Sequence, residues 1–153
     1  MYQEADTMIR RVKVKSLADC FDYVTDGFET DKLAIISIQK SADGGHGFRF
    51  TENSRCVGVL TLLFDDIEAP APGLTAFSEE QAWQVIEFIR THRRDAETLL
   101  IHCYAGQSRS RAVGAFAVKM LGGNNQAYFT NFVPNRLVYD TLLHIWETEY
   151  ADA

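Results

Sequence analysis

Polar and apolar residues alternate from Arg11 to Lys15, with Val12 and Val14 turned inward, a pattern that predicts a half-exposed strand. Ser16 follows as a helix cap with Asp19 three positions on. Leu17, Cys20, Phe21 and Val24 then recur at i, i+3, i+4 and i+7, so a helix with that face toward the core is expected. Leu33 to Ile38 is a continuous apolar run of strand length, and Cys56 to Phe64 is a second. Between them Ser41 to Arg49 carries Gly44, Gly45 and Gly47 without periodicity and reads as a loop, His46 facing solvent. Ser78 and Gln81 form a capping box for a long helix to about His92, with Ala82, Val85, Ile86 and Ile89 as its inner stripe.

Thr98 to His102 reads as a short buried strand. The helix after Arg109 is small and apolar on most sides and is stopped by Gly122, Gly123, Asn124 and Asn125. Gln126 to Phe132 is expected to be a short helix or ordered loop whose Tyr128, Phe129 and Phe132 pack in the core. Pro134 and Asn135 open a last helix, with Asn135 as its cap and Val138, Leu142, Ile145 and Trp146 as its packed face. Strands alternating with helices predict an α/β fold: a central, mostly parallel sheet of four to five strands with helices on both faces. No repeat, low-complexity tract or linker interrupts the chain, so residues 1–153 are expected to form one domain.

Composition changes this picture little. The net charge of −6 disfavours nucleic acid as a partner, and Arg10, Arg11, Lys13 and Lys15 make too short a run for a binding patch; they suit a solvated strand face. Three cysteines at wide spacing make neither a disulfide framework nor a metal cluster. Cys20 reads as a small buried hydrophobe, and Cys56 is a conceivable redox partner for Cys103. Met1 to Arg11 lacks the apolar segment of a secretory leader, and no apolar run reaches the roughly 18 residues of a membrane span. A cytoplasmic monomer with no membrane partner is expected.

The candidate chemistry lies in residues 97–114. The strand ending at His102 runs into a turn from Cys103 to Arg109, with Gly106 in its middle and Ser108 and Ser110 flanking the arginine, and then into a helix. Such a turn aims several backbone N–H groups at one spot, backed by the positive end of the helix dipole, and so makes an anion site. The same environment favours a thiolate at Cys103, since helix N-termini and nearby arginine lower a thiol's pKa from about 8.5 to roughly 3.5–7.5. A thiolate on the floor of an anion cradle points to nucleophilic attack on a phosphate monoester. Tyr104, Ala105, Gly106, Gln107, Ser108 and Arg109 would bind the phosphate, and the planar fork of Arg109 would grip two of its oxygens. The leaving oxygen needs an acid. Asp65 and Asp66, at a strand end before the Ala-Pro-Ala-Pro-Gly loop, are the candidates.

The order His102, Cys103, five residues, Arg109, Ser110, and the fuller His-Cys-x-Ala-Gly-x-Ser-Arg-Ser, resembles the signature of the cysteine-dependent protein tyrosine phosphatase superfamily, nearest to dual-specificity phosphatases and their small bacterial relatives. Phe64-Asp65-Asp66 resembles the acid loop of those enzymes, in which the acid stands two positions after the aromatic. The resemblance therefore favours Asp66, with Asp65 as the alternative, although Asp66 lies 37 positions before Cys103, farther than in the smallest relatives. Pro134-Asn135 is similar to the last motif of the dual-specificity group.

The resemblance implies a two-step displacement through a cysteinyl-phosphate, without metal or cofactor. Asp66 would serve first as acid and then as base, and Ser110 would hydrogen-bond the departing thiolate. His102 would support the cysteine by hydrogen bonding rather than carry a proton, and Ser108 would shape the turn. Tyr104 and Gln107 are the side chains freest to meet a phosphorylated protein or small phosphoester. The alternatives are an RNA 5′-phosphate or phosphoinositide phosphatase, or a catalytically silent module that binds phospho-residues. The turn holds no lysine, which argues against a multiply charged lipid head group. Low-molecular-weight phosphatases also use Cys-x5-Arg, but near the chain start, whereas 102 residues precede Cys103 here. The rhodanese loop lacks the pattern.

Overall fold

A computed structural model of the protein describes residues 9–41 and 49–150. The Gly44–Gly47 segment and His46 fall outside the described residues.

Four strands and four α-helices follow one another as β1 (Arg11–Lys15), α1 (Leu17–Thr25), β2 (Leu33–Gln39), β3 (Cys56–Leu63), α2 (Glu79–His92), β4 (Thr98–His102), α3 (Arg109–Met120) and α4 (Arg136–Glu149). A 3-10 turn, Gln126–Phe129, stands before α4. The strands form one parallel sheet in the order β1-β4-β2-β3. Every residue of the two inner strands β2 and β4 is buried, as expected where helices cover both faces; this is why both read as unbroken apolar runs.

The faces divide by alternation along each strand. Ala34, Ile36, Ile38, Leu99 and Ile101 meet α2, α3 and α4 in the larger core, while Leu33, Ile35 and Leu100 meet Cys20 of α1 in the smaller. The capping predictions hold in detail. Ser16 accepts from the Asp19 N–H, Ser78 and Gln81 cap each other reciprocally, and Asn135 accepts from the Val138 N–H.

Three expectations need correction. Phe21 is 45% exposed, and Tyr23 takes its place beside Cys20 and Val24. The stripe of α1 is rotated because the Tyr23 hydroxyl is anchored on Asp31, 2.8 Å away. Tyr128, Phe129 and Phe132 lie outside the buried core, since the 3-10 turn sits on the rim and its rings lean on α3 and α4 instead. Lys13 and Lys15 do not simply face water; both lie over the Tyr23 ring, at 5.1 and 5.4 Å.

Asp31 ties the amino-terminal end of the sheet together. It accepts from Tyr23, from Arg55 at 2.9 Å and from Thr98 of β4. Burial alone would raise its pKa. The bonds from Thr98, Arg55 and Tyr23 and the Arg55 charge outweigh that and hold it at about 2, against an ordinary 3.8. The folded state thus prefers the carboxylate, so the stabilisation is complete above the unfolded value near 4 and is lost as pH falls through about 2. It amounts to about 2 kcal/mol. Urea midpoints from pH 6 down to pH 2 should fall more steeply for wild type than for Asp31→Asn; parallel curves would refute the role.

Candidate active site

All strands being parallel, their carboxyl ends share one edge of the sheet, where open α/β sheets place ligands. The turn Cys103–Ser108 leaves the inner strand β4 at that edge and feeds α3. Gly106 has φ +75, a region costly for other residues, and a Cβ there would stand 2.7 Å from the backbone of Lys15 and Ser16. The β1–α1 junction therefore packs directly beneath the turn, and only glycine fits. Gly106→Ala is expected to destabilise the protein by roughly 1–3 kcal/mol, measured by chemical unfolding. A neutral result would contradict this packing.

The turn converges on the sulfur of Cys103, a residue that is 3% exposed. The Gly106 N–H donates to Sγ at 3.2 Å, and the Ser110 hydroxyl lies 3.0 Å away. Burial pushes the thiol's pKa up. The Ser110 hydroxyl and N–H, the Gly106 N–H and the Arg109 charge together outweigh burial, and the net shift is downward from the ordinary 9.0. Arg109 is steered by β3: its Nη1 donates to the Phe64 carbonyl at 2.9 Å. Its Nε is out of solvent with no acceptor among the described residues. A buried donor without a partner is costly, and an oxyanion above Sγ is the partner that this edge of the guanidinium suits.

The adjacent carboxylates have different surroundings. Asp65 is buried and accepts from the Ser41 hydroxyl at 2.5 Å, the Thr75 N–H at 2.7 Å and the Ser41 N–H at 3.4 Å. The Ser41 hydroxyl and the Thr75 N–H, joined by the Ser41 N–H and Arg109, lower its pKa despite burial, so it stays ionised and holds the loop in shape. Asp66 is exposed on the rim of the turn. The Ser108 hydroxyl and the Asn135 amide both donate to its Oδ1, each at 2.8 Å. Neither donor engages Oδ2.

Asn135 reads in the sequence as a helix cap and, with Pro134, as similar to the last dual-specificity motif; its hold on the acid loop does not show there. Its Oδ1 does cap α4, but its Nδ2 also bonds Asp66 and the Ile67 carbonyl. The two tasks use the opposite ends of one amide, which no local pattern could reveal.

His102 is fully buried. Its Nδ1 faces the Cys103 carbonyl at 3.1 Å and its Nε2 the Ser37 hydroxyl at 2.6 Å. A carbonyl can only accept, so Nδ1 carries the hydrogen and Nε2 takes one from Ser37. Ser37 in turn accepts from Gln39, which accepts from Arg49. This chain fixes the backbone at the foot of the turn. Tyr104 and Gln107 point outward, and the Tyr104 carbonyl accepts from the Leu17 N–H at 3.1 Å.

The other cysteines are remote from this edge. Cys56 is in register with Leu33 at the start of β2, whereas Cys103 follows His102, the partner of Ser37 near its end. Five strand positions, about 16 Å at 3.3 Å each, separate the two levels, so Cys56 is not placed to serve Cys103 as a redox partner. Cys20 and Cys56 are buried together in the smaller core, and burial raises both pKa values, that of Cys20 to about 12.

No protein-family model and no curated protein sequence matches the chain. Solved structures do. Human DUSP28 superposes with a TM-score of 0.60 over 93% of this chain and 95% of its own, at 15% identity. Tk-PTP in its active form gives 0.53 over 97% and 99%, at 18% identity. A human tyrosine phosphatase-like serine/threonine/tyrosine-interacting protein gives 0.54 over 79% and 80%, at 19% identity. The chain thus has the α/β fold of the dual-specificity and tyrosine phosphatases. Among the described residues no helix is long and apolar enough to cross a membrane.

Proposed function

We propose that this protein is a cysteine-dependent phosphomonoester hydrolase, acting on phosphorylated tyrosine or on phosphorylated tyrosine and serine/threonine in proteins. The observation that carries the reading is the pairing of a buried, donor-surrounded Cys103 sulfur with an Arg109 Nε that has no acceptor among the described residues.

In the first step a lone pair of the Cys103 thiolate attacks phosphorus and the ester P–O bond breaks. The turn amides and Arg109 stabilise the equatorial oxygens, while Asp66 gives its Oδ2 proton to the leaving oxygen. In the second step Asp66, now a carboxylate, takes a proton from water as the water oxygen attacks the cysteinyl-phosphate. The P–S bond breaks and Ser110 hydrogen-bonds the returning thiolate. Asp65, held ionised by Ser41 and Thr75, is unsuited to the acid role.

A nucleophile of this kind works in a reducing compartment such as the cytoplasm, because a thiolate is the form that oxidises. Phosphate release from p-nitrophenyl phosphate, blocked by vanadate, tests the proposal; no release by well-folded protein ends it. The lowered thiol pKa makes a second test. The ionised fraction grows as pH rises, so alkylation of Cys103 by iodoacetamide should reach half its maximal rate at a lower pH in the folded protein than in urea. Equal midpoints would contradict the thiolate.

A further inference from the structure

Among the described residues two buried side-chain nitrogens lack a hydrogen-bond partner: Nε of Arg109 and Nε of Arg111. Both stand in the first turn of α3. The phosphate cradle accounts for the first and leaves the second unexplained. The Arg111 guanidinium lies 3.9 Å from the centre of the Phe132 ring and 5.6 Å from that of Tyr128. No carboxylate among the described residues pairs with it. Arginine keeps its charge at any working pH. A half-buried cation set against two rings, without a counter-charge among the described residues, is a group prepared for an anion.

Its direction follows from the helix. Residues two apart are turned about 200° from each other. Accordingly Arg109 reaches Phe64 beyond β3, whereas Arg111 meets Tyr128, whose hydroxyl lies against Val12 of β1, at the other edge of the sheet. The two guanidinia therefore flank the helix start, about one helix width (roughly 10–12 Å) apart. An extended peptide covers that distance in three to four residues. Phe132, 39% exposed, and Val133, 81% exposed, offer apolar surface beside Arg111 for such a peptide.

We infer that Arg111, stacked on Phe132, is a second anion-binding position that selects peptides bearing a carboxylate or phosphate three to four residues from the phosphorylated residue in the Cys103 turn. This deepens the phosphatase reading and rests on it for the identity of the first subsite.

The test uses phosphotyrosyl peptides with neutral flanks into which one glutamate, or one phosphoserine, is moved through each position within four residues. For each protein, kcat/KM is divided by its own value for the neutral peptide. Wild type should show about a tenfold preference peaking three to four residues from the phosphotyrosine on one side. The preference should vanish in Arg111→Gln, return in part in Arg111→Lys, and shrink with added salt in wild type. A larger gain from phosphoserine than from glutamate identifies a doubly phosphorylated substrate; equal gains identify an acidic one. A flat profile in wild type, or one unchanged in Arg111→Gln, overturns the inference. The same peptides are also titrated onto Cys103→Ser protein, where the affinity ratio decides the matter even if wild type turns nothing over, a result that would count against the phosphatase reading alone. Tighter binding of a 5′-phosphorylated oligonucleotide than of every peptide would also overturn it.

Discussion

Cys103→Ser should lower the rate of phosphate release by on the order of 10⁴-fold or more while leaving phosphopeptide affinity within a few-fold of wild type. The reasoning is that the site separates two tasks. In the proposed mechanism binding relies on the turn amides and on Arg109, whose guanidinium is held by the Phe64 carbonyl rather than by the sulfur. Attack relies on an ionised nucleophile. The Gly106 N–H and the Ser110 hydroxyl that stabilise a thiolate are too weak to ionise a serine hydroxyl at neutral pH. Full turnover in Cys103→Ser would remove the nucleophile from the proposal, and loss of binding with loss of turnover would mean that the sulfur shapes the cradle itself. Product release in single-turnover and steady-state assays, with affinity by calorimetry, separates these outcomes.

Asp66→Asn should be the second largest effect, and its size should depend on the substrate. General acid catalysis is worth roughly 10²–10⁴-fold where the leaving oxygen is basic. Hydrolysis of phosphotyrosyl or phosphoseryl peptides should fall by about that factor, and hydrolysis of an aryl phosphate with a strongly acidic phenol should fall far less. Asp65→Asn should behave differently. Its carboxylate is occupied by Ser41 and Thr75, so its loss should loosen the loop and reduce stability with a similar effect on both substrate types. If Asp65→Asn instead gave the leaving-group dependence and Asp66→Asn did not, the two roles would have to be exchanged. A plot of rate against leaving-group pKa for the three proteins distinguishes these cases.

The environment of the two carboxylates shows where sequence reasoning ends. Asp65 and Asp66 are chemically identical neighbours. What separates them is that one side chain turns into the protein, toward residues 24 and 10 positions away, while the other turns toward the rim. Phe21 misled for a related reason. The helical period admits it to the apolar stripe of α1, but Tyr23, bonded to Asp31, holds the packed side of the helix and Phe21 is left exposed. Phe132 shows the same effect: an aromatic beside a helix start reads as core, yet here it covers an arginine.

What the chain alone determined was everything carried by neighbours in sequence. The 3.6 period marked the amphipathic helices, one alternating segment and three short apolar runs marked the strands, side chains three positions apart gave the caps, and the turn from Cys103 to Arg109 was readable because its nucleophile, its glycine and its cation are contiguous. Tertiary structure alone decided the four-strand order and the backbone under Gly106. It also decided the hold of Asn135 and Ser108 on Asp66, across 69 and 42 residues, and the placing of Cys56 at the far end of the sheet from Cys103. A hydrogen bond is sensitive to tenths of an ångström, and no local pattern can fix to that tolerance the distance between segments so far apart along the chain.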